Sequence, residues 1–573
     1  VFRREFYGRL DETQFAALYS DTPSRPNIPV NVLVSLEALK SGCGWSDEEM
    51  HDAFLFDLQV RYALGYDNVG EGDFDLRTVY NFRRRVCDHM REGGENLIER
   101  AFEQITDEQV VAFQLKTGRL RMDSTQIASN IQRMARVQLL VEVLQRVHRM
   151  LKDADRAHYA DAFAPYLKGS SGQYLYHLKG EDTGPHLQRI GELMYWLLIE
   201  LAPAYASHKT YQMLQRVFHE QFIESDDLRE SESDDEDGNV PPGDQAAATA
   251  TARPSSLDEG QTPASAVPTI LVRPGKEIRP TSLRSPDDPE ATYRKKGRRA
   301  YEGYVTNLTE TCDPRNPFQL IVKVQSAPNI TEDTTLLEEA LPELKDRTAV
   351  HTLYNDAGFC GSDVDKLLQK LKVEQVPTAM PGRAPDPNRT SLADLGIYLN
   401  ADRQPLKLVC PHGYTAIVTP GRKEGRFIAR WAEAACPECR FSKHHTGRKP
   451  STKTAVRFSQ TDLNRALRRQ RMRAYYLGKQ YLRAAVESTI GALKRPFNDD
   501  KVPVRGSLRL SQVMIGSAIL VNIRRIQRYK LAKRKNDRSQ HSKRRSTDEQ
   551  QTNVSPSGHS FLYSIRQRCQ QYL

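Results

Sequence analysis

The sequence predicts a mixed α/β protein led by a helical block. Three observations point there. From about residue 28 to 105 the apolar residues recur at helical spacing. Short apolar runs at 119–124, 303–308, 318–324 and 350–354 read as strands interleaved with helical segments. Between the first strand and the others, residues 224–285 turn acidic and then rich in Pro, Ala, Thr and Ser. Such a segment cannot bury enough apolar surface to offset its ordering entropy, and is expected to be disordered.

Along the chain, residues 31–40 (NVLVSLEALK) show an apolar face, and the turn at Gly42–Gly44 closes that helix. Ser46 and Glu49 form a capping box, in which hydroxyl and carboxylate satisfy two free amides at the start of the next helix. That helix carries Met50, Phe54 and Leu55. Another begins near Asp75 and runs through Val79, Phe82 and Val86, with Arg83, Arg84 and Arg85 among them. An arginine-rich helix can set cations along DNA phosphates, and a solvated, arginine-decorated face fits the same residues.

Residues 119–124 (RLRMDS) read as a short strand. A heptad-like series at Met134, Val137, Val141, Leu144 and Leu151 predicts a helix packed on a partner, with His148 in one apolar place. The helical pattern over 187–202 is read as core. Residues 333–341 (DTTLLEEAL) predict a helix with Asp333 as N-cap and Pro342 as its stop. A strand over 350–354 ends at Asn355-Asp356, and a polar stretch near 379–389 leads into a cysteine-bearing segment. Long helices are predicted over about 461–495 and 509–530.

The 573 residues suffice for several domains, and a mean hydropathy of -0.62 leaves room for polar linkers. Net charge is +10 with a pI near 9.0, which favours a polyanionic partner. Residues 224–236 are acidic, so the remainder is more basic than the total, and 524–545 is densely cationic. Eight scattered cysteines, of which only Cys436 and Cys439 lie close together, do not make a disulfide framework; a reducing, cytoplasmic setting is expected. No apolar run is long enough to cross a bilayer, and the N-terminus lacks the apolar core of a signal peptide. Residue 1 is Val, which leaves the natural start open.

Among 73 Asp and Glu residues, context must select any functional set. Asp123 and Asp356 each end a predicted strand, on the rim where α/β sheets form ligand sites. Glu487 lies within a predicted helix (RAAVESTIGALK, 483–494). At about 100° per residue, with Arg483 at zero, Glu487 falls near 40° and Lys494 near 20°. One carboxylate and two cations therefore share a face. That suits a helix whose carboxylate holds a metal while its cations hold a DNA backbone. An i,i+4 ion pair on a solvated face fits the residues as well.

These residues, together with their surroundings, resemble the bacterial insertion-sequence transposases, mobile-element enzymes with a DDE active site on an RNase H-like fold of the retroviral-integrase superfamily. The resemblance is carried by RMDST (121–125), DPEATYRKKGRRAYEGY (288–304), YNDAGF (354–359), RAAVESTIGALKR (483–495), RGSLRL (505–510) and the run 522–525 (NIRR). The family's Arg-x3-Glu-x6-Lys signature matches at Arg483, Glu487 and Lys494. The Tyr that precedes it would stand at 480, where this chain has Gln480 with Tyr481 beside it. Residues 34–50 are similar to the helical domain that precedes this core in the family, and the matching pieces cover about half of the chain.

The resemblance implies an RNase H-like mixed sheet flanked by helices. It implies that Asp123, Asp356 and Glu487 bind two Mg²⁺ or Mn²⁺ ions, for strand cleavage at transposon ends and strand transfer into target DNA. Ser124 and Thr125 are read as supporting residues. Arg483, Lys494, Arg505, Arg524 and Arg525 would contact DNA, the partners being the terminal inverted repeats and target DNA, with a homodimer in the complex and a nucleoid-associated location. Alternatives that remain open are a non-catalytic DNA-binding regulator, a decayed transposase, or an RNase H-like nuclease without strand transfer.

On this reading 1–117 is a helical DNA-binding domain and 118–135 the first part of the catalytic core. Residues 136–223 are a helical insertion, 224–285 the linker and 286–375 the second part of the core. Residues 376–460 form a further insertion, 461–530 the C-terminal catalytic helices and 531–573 a basic tail. Within 376–460, Cys410 and His412, then Cys436 and Cys439, followed by His444 and His445, look like half of a zinc ribbon. A C-x2-C pair with a third Cys suits tetrahedral Zn²⁺, the fourth ligand being open among the three histidines. Related transposases carry a Cys-containing insertion at this point. Three reduced cysteines in a small β insertion remain the alternative.

Overall fold

A computed structural model describes the chain except residues 20–26, 69, 177, 179–181, 225–268, 381–390, 401–402, 432–454, 479–481 and 552–573. Its centre is a mixed sheet of β1 (Arg119–Ala128), β4 (Thr292–Lys296), β5 (Arg299–Thr311), β6 (Ile321–Pro328), β7 (Thr352–Asn355) and β8 (Glu374–Pro377). Across the sheet the order is β6–β5–β1–β7–β8, and β4 prolongs the β6 edge of β5. β5 runs antiparallel to β1, β4 and β6, while β7 and β8 run parallel to β1.

The sheet is covered on both faces. Leu120, Met122 and Leu353 pack against the helices Asp333–Arg347 and Ser362–Lys370 through Leu337, Leu341, Leu344 and Val364. Side chains alternate along a strand, so Asp123 and Ile127 look to the opposite side. There Ile127, Leu308 and Val324 meet the helices Ala485–Lys494 and Ser507–Gln551 and the N-terminal helices. β1 is longer than the predicted 119–124 because its pairing with β5 continues to Ala128↔Gly303.

The N-terminal helices have no separate core. The helix Val30–Cys43 is buried on nearly all sides, not on one face, because the Ser507–Gln551 helix crosses it closely. A Cβ at Gly42 would run into Leu520, and one at Gly516 would come within 2.8 Å of Ser41 Oγ. Ser46 and Glu49 form the expected capping box, with reciprocal bonds of 3.0 and 2.7 Å. Asp75 caps the helix Leu76–Arg91. Arg83 on that helix departs from the expected cationic face. It is buried, and donates to Glu37 at 2.7 Å and to Asp47 at 2.6 Å. Arg84 and Arg85 are exposed.

Several expected boundaries move. Residues 225–268 of the acidic linker lie outside the described residues, but its last part is built into the fold. β3 (Ile270–Val272) pairs with β2 (Phe222–Glu224), and Ile270 and Leu283 enter the core of the 136–223 helices. Pro342 does not stop its helix, which runs over Asp333–Arg347 with Glu332 as N-cap. Burial of Leu341 and Leu344 outweighs the hydrogen bond that proline removes. The helix expected over 461–495 is two, Gln460–Leu477 and Ala485–Lys494, parted at Gly478. The last helix passes its expected end near 530 and reaches Gln551, so part of the tail is helical.

Between the sheet and these helices, β9 (Gly396–Leu399), β10 (Pro405–Val409), β11 (Thr415–Pro420), β12 (Arg426–Arg430) and β13 (Ala455–Ser459) form an antiparallel meander. Among the described residues no helix is long and apolar enough to cross a membrane.

Candidate active site

The parallel pairing of β1 with β7 sets the site. Arg121 stands opposite Tyr354; two residues further along come Asp123, still within β1, and Asp356, the residue after β7. Adjacent strands lie about 4.8 Å apart, and Asp356 is close enough to act electrostatically on Asp123. Asp123 is 6% exposed, and its Oδ2 accepts from Arg483 Nη2 at 2.7 Å. Asp356 closes β7 in a tight turn, its Oδ1 accepting from the Gly358 amide at 2.9 Å.

Glu487 joins them from the helix Ala485–Lys494, which is anchored by buried Val486, Thr489 and Leu493. Its side chain is 65% exposed, and its Oε1 accepts from Arg483 Nη1 at 2.9 Å. One guanidinium therefore spans Asp123 and Glu487, which the chain separates by 364 positions (487 − 123). Lys494 leans toward the same strand, donating to Thr125 Oγ1 at 3.1 Å and pairing with Asp500 at 2.9 Å. Burial pushes the Asp123 carboxyl above its ordinary pKa; Arg483 opposes the rise and Asp356 adds to it. Burial works against the Arg483 charge, but Asp123, Asp356 and Glu487 together hold its pKa above the ordinary arginine value.

A fourth carboxylate adjoins the site. Asp333, the first residue of its helix, sits where a Cβ on Gly358 would strike its carboxylate. Burial raises its pKa, Ser124 hydrogen-bonds it, and Asp356 is close enough to raise it further. The sequence offered Asp333 only as a helix cap.

The remaining cations expected at DNA divide. Arg525 donates to Glu310 Oε2 at 2.7 Å, and Arg121 to Glu310 Oε1 at 2.7 Å. Thr489 completes this network around a carboxylate that is 0% exposed, so Arg525 ties the last helix to β5. Arg505 donates to the Asn130 carbonyl at 2.8 Å and stays half-exposed, and Arg524 is exposed apart from a 3.2 Å bond to the Gly42 carbonyl. Sequence reasoning did not foresee the Glu310 network. Glu310 lies past the predicted strand 303–308 and between two threonines, so the local pattern carried no signal for it. Nor did it foresee Asp288, which is buried and accepts from Ser129, from Tyr304 at 2.6 Å and from the Gly506 amide at 3.0 Å. Asp288 thereby joins the 288–304 stretch to the start of the last helix.

The donor set suits a hard divalent cation, being carboxylate oxygens alone, and the arginine already resting between Asp123 and Glu487 shows that the locus takes positive charge. With that arginine in place, no group of three or more His, Cys, Asp or Glu is gathered closely enough to hold a metal among the described residues. Cys410 and His412 lie at the β10–β11 turn, where the Cys410 amide donates to Tyr414 O at 2.9 Å. Cys436, Cys439, His444 and His445 lie outside the described residues, as do Gln480 and Tyr481.

Residues 409–527 match the sequence profile of a family described as a transposase DDE domain. The match spans Arg483, Glu487 and Lys494 and stops short of Asp123 and Asp356. Neither the curated proteins nor the solved structures compared with the chain give a match.

Proposed function

We propose, from the premise that this chain is a DDE transposase of the insertion-sequence type, that it cleaves DNA at the ends of a mobile element and joins them to target DNA. The observation that carries this reading is the single guanidinium held between Asp123 and Glu487, with Asp356 level with Asp123 on the neighbouring strand. The sheet order β6–β5–β1–β7–β8, in which β5 alone runs against its neighbours, supports an RNase H-like core.

On this reading Asp123, Asp356 and Glu487 hold Mg²⁺ or Mn²⁺. When bound, divalent ions there would supply activation of the attacking oxygen, a water or a DNA 3′-hydroxyl, and stabilisation of the departing one. Asp123 and Asp356 present their oxygens from rigid strands, and Glu487 closes the set from the helix above. Arg483 leaves the carboxylates as their charge is taken up elsewhere, and turns its two-pronged guanidinium to a DNA phosphate. Lys494, steadied by Thr125, supplies a second phosphate contact on the same side. Arg505 and Arg524 extend that surface, and the exposed Arg84 and Arg85 give the N-terminal helices a role in binding the terminal repeats. Action on paired ends favours a homodimer in the DNA complex. Cys410, Cys436 and Cys439, with one of the nearby histidines, are the residues that would hold a structural Zn²⁺.

The test is incubation of the purified protein with Mg²⁺ and duplexes carrying the element's end sequences. Site-specific 3′-hydroxyl ends that join to target DNA, absent for Asp123→Asn, are expected. Specific binding without cleavage by the wild-type protein would instead make the chain a regulator, and cleavage without joining a nuclease.

A further inference from the structure

One peptide group at the entry to the Ala485–Lys494 helix is held on both of its polar atoms. The Leu482 carbonyl accepts from Arg121 Nη1 at 2.6 Å, and the Arg483 amide donates to the Tyr475 hydroxyl at 3.2 Å. A trans peptide points these two groups in opposite directions, so partners on both sides fix its plane. Each partner is tied to a strand that leads to a carboxylate. Arg121 lies on β1 two residues before Asp123, and so on the same face of the sheet. Tyr475, on the helix Gln460–Leu477, packs its ring 5.7 Å from that of Tyr354. Tyr354 stands opposite Arg121 and two residues before Asp356.

Packing alone does not call for these contacts. Arg121 is 6% exposed, and a guanidinium buried in a strand costs desolvation that an apolar residue would avoid. Its Nε donates to Glu310 Oε1 at 2.7 Å, which fixes the planar fork and aims Nη1 at Leu482. The same Glu310 accepts from Thr489 at 2.8 Å, two residues beyond Glu487. The Arg121–Glu310 pair therefore grips the chain both before and after Glu487. At the helix start itself the N-cap residue, Ala484, offers no side-chain cap bond.

The held peptide leads directly into Arg483, whose guanidinium reaches Asp123 at 2.7 Å and Glu487 at 2.9 Å. We propose that Arg121 and Tyr475 are positioning residues for strand cleavage. By clamping the Leu482–Arg483 peptide they set where Arg483 and Glu487 stand relative to Asp123 and Asp356. The clamp fixes the backbone of Arg483 and leaves its side chain free to swing. Neither positioning residue touches DNA or the reacting atoms. The assignment rests on the transposase reading, which makes those four groups the reacting site. A misplacement of about 1 Å at such a site can cost ~100-fold in rate, so the clamp bears on rate more than on stability.

The test is Tyr475→Phe, which removes one hydroxyl and keeps the ring against Tyr354, with Arg121→Lys as the second variant. In the protein without DNA or metal, hydrogen exchange of Tyr475→Phe should quicken in peptides covering 482–487, where the Arg483 amide has lost its acceptor. It should stay unchanged over β1 and the helix that begins at Ser507. The melting temperature should move by only ~1–2 °C. On duplexes carrying the element's end sequence, the single-turnover cleavage rate should fall ~3–10-fold while the half-saturating DNA concentration stays at the wild-type value. Arg121→Lys, which loses the charged fork, should fall ~10–100-fold. Wild-type exchange over 482–487 in Tyr475→Phe, or a wild-type cleavage rate, overturns the clamp and leaves the transposase reading standing. A wild-type protein that does not cut these duplexes sinks the transposase reading, and the positioning role with it, whatever the exchange shows.

Discussion

Arg483 donates to Asp123 at 2.7 Å although 360 residues separate them. With its other amino group on Glu487, this arginine draws two of the three carboxylates around one positive charge, and Asp356 adds to that field. Like-charged carboxylates share a site when a cation sits among them or when one of them holds a proton. Arg483 supplies that cation in this fold.

The burial of Asp123 comes at a cost in stability. Burial raises its pKa above the ordinary value of 3.8, so folding favours its protonated form. Stability from this group is present below the ordinary Asp range and is lost as pH rises through the raised value. Asp123→Asn is therefore expected to melt at a higher temperature than the wild type near pH 7, with the gain shrinking below about pH 4. Strand cleavage should be lost. A lower melting temperature at neutral pH would contradict this.

Glu487 should behave oppositely. Its carboxylate is 65% exposed, and its pair with Arg483 is open to solvent screening. Glu487→Gln should cost less than ~1 kcal/mol of stability. It should nonetheless reduce cleavage to background and weaken the rise in melting temperature on adding Mn²⁺. Cleavage near the wild-type level would remove Glu487 from the site.

Glu310 holds two guanidiniums from within the core. Glu310→Ala leaves Arg121 and Arg525 without their buried partner, and should destabilise by ~3–5 kcal/mol in denaturant titration. Arg525→Ala should lower stability while leaving the salt dependence of DNA binding unchanged. A salt slope smaller by about one would return Arg525 to the DNA.

Gly42 measures how firmly the N-terminal helices are joined to the catalytic sheet. Gly42→Ala forces a methyl group against Leu520 at the crossing of two buried helices. A loss of ~1–3 kcal/mol is expected. Fluorescence from Trp45, beside the crossing, and total helicity should report one shared unfolding transition. Separate transitions would show that the two parts fold independently.

Zinc can be assayed directly. The purified protein should carry stoichiometric zinc, and Cys436→Ser or Cys439→Ser should lose it while Cys43→Ser retains it. Metal-free wild-type protein would leave the β9–β13 segment as a plain meander.

Much of the architecture could be read from local pattern, since helix caps and apolar periodicity depend on neighbours along the chain. The Ser46–Glu49 box, the helix begun at Asp75 and the place of Asp356 directly after its strand are of this kind; Asp123, expected at a strand end, lies mid-strand because the pairing of β1 with β5 carries the strand on to Ala128. Glu487 and Lys494 lie on one helix as expected, but Arg483 stands in the turn before its N-cap and reaches Asp123 and Glu487 from there. What no local pattern carries is which distant charge becomes a partner. Arg83 and Arg525 look like DNA contacts in sequence, and only packing turns them toward Glu37, Asp47 and Glu310. Asp333 reaches Ser124 and Asp356 only because β1, β7 and its own helix converge at the sheet rim. Sequence determines the repertoire of charges and the elements that bear them. Burial and strand register, which are cooperative properties of the whole chain, decide where each charge is directed.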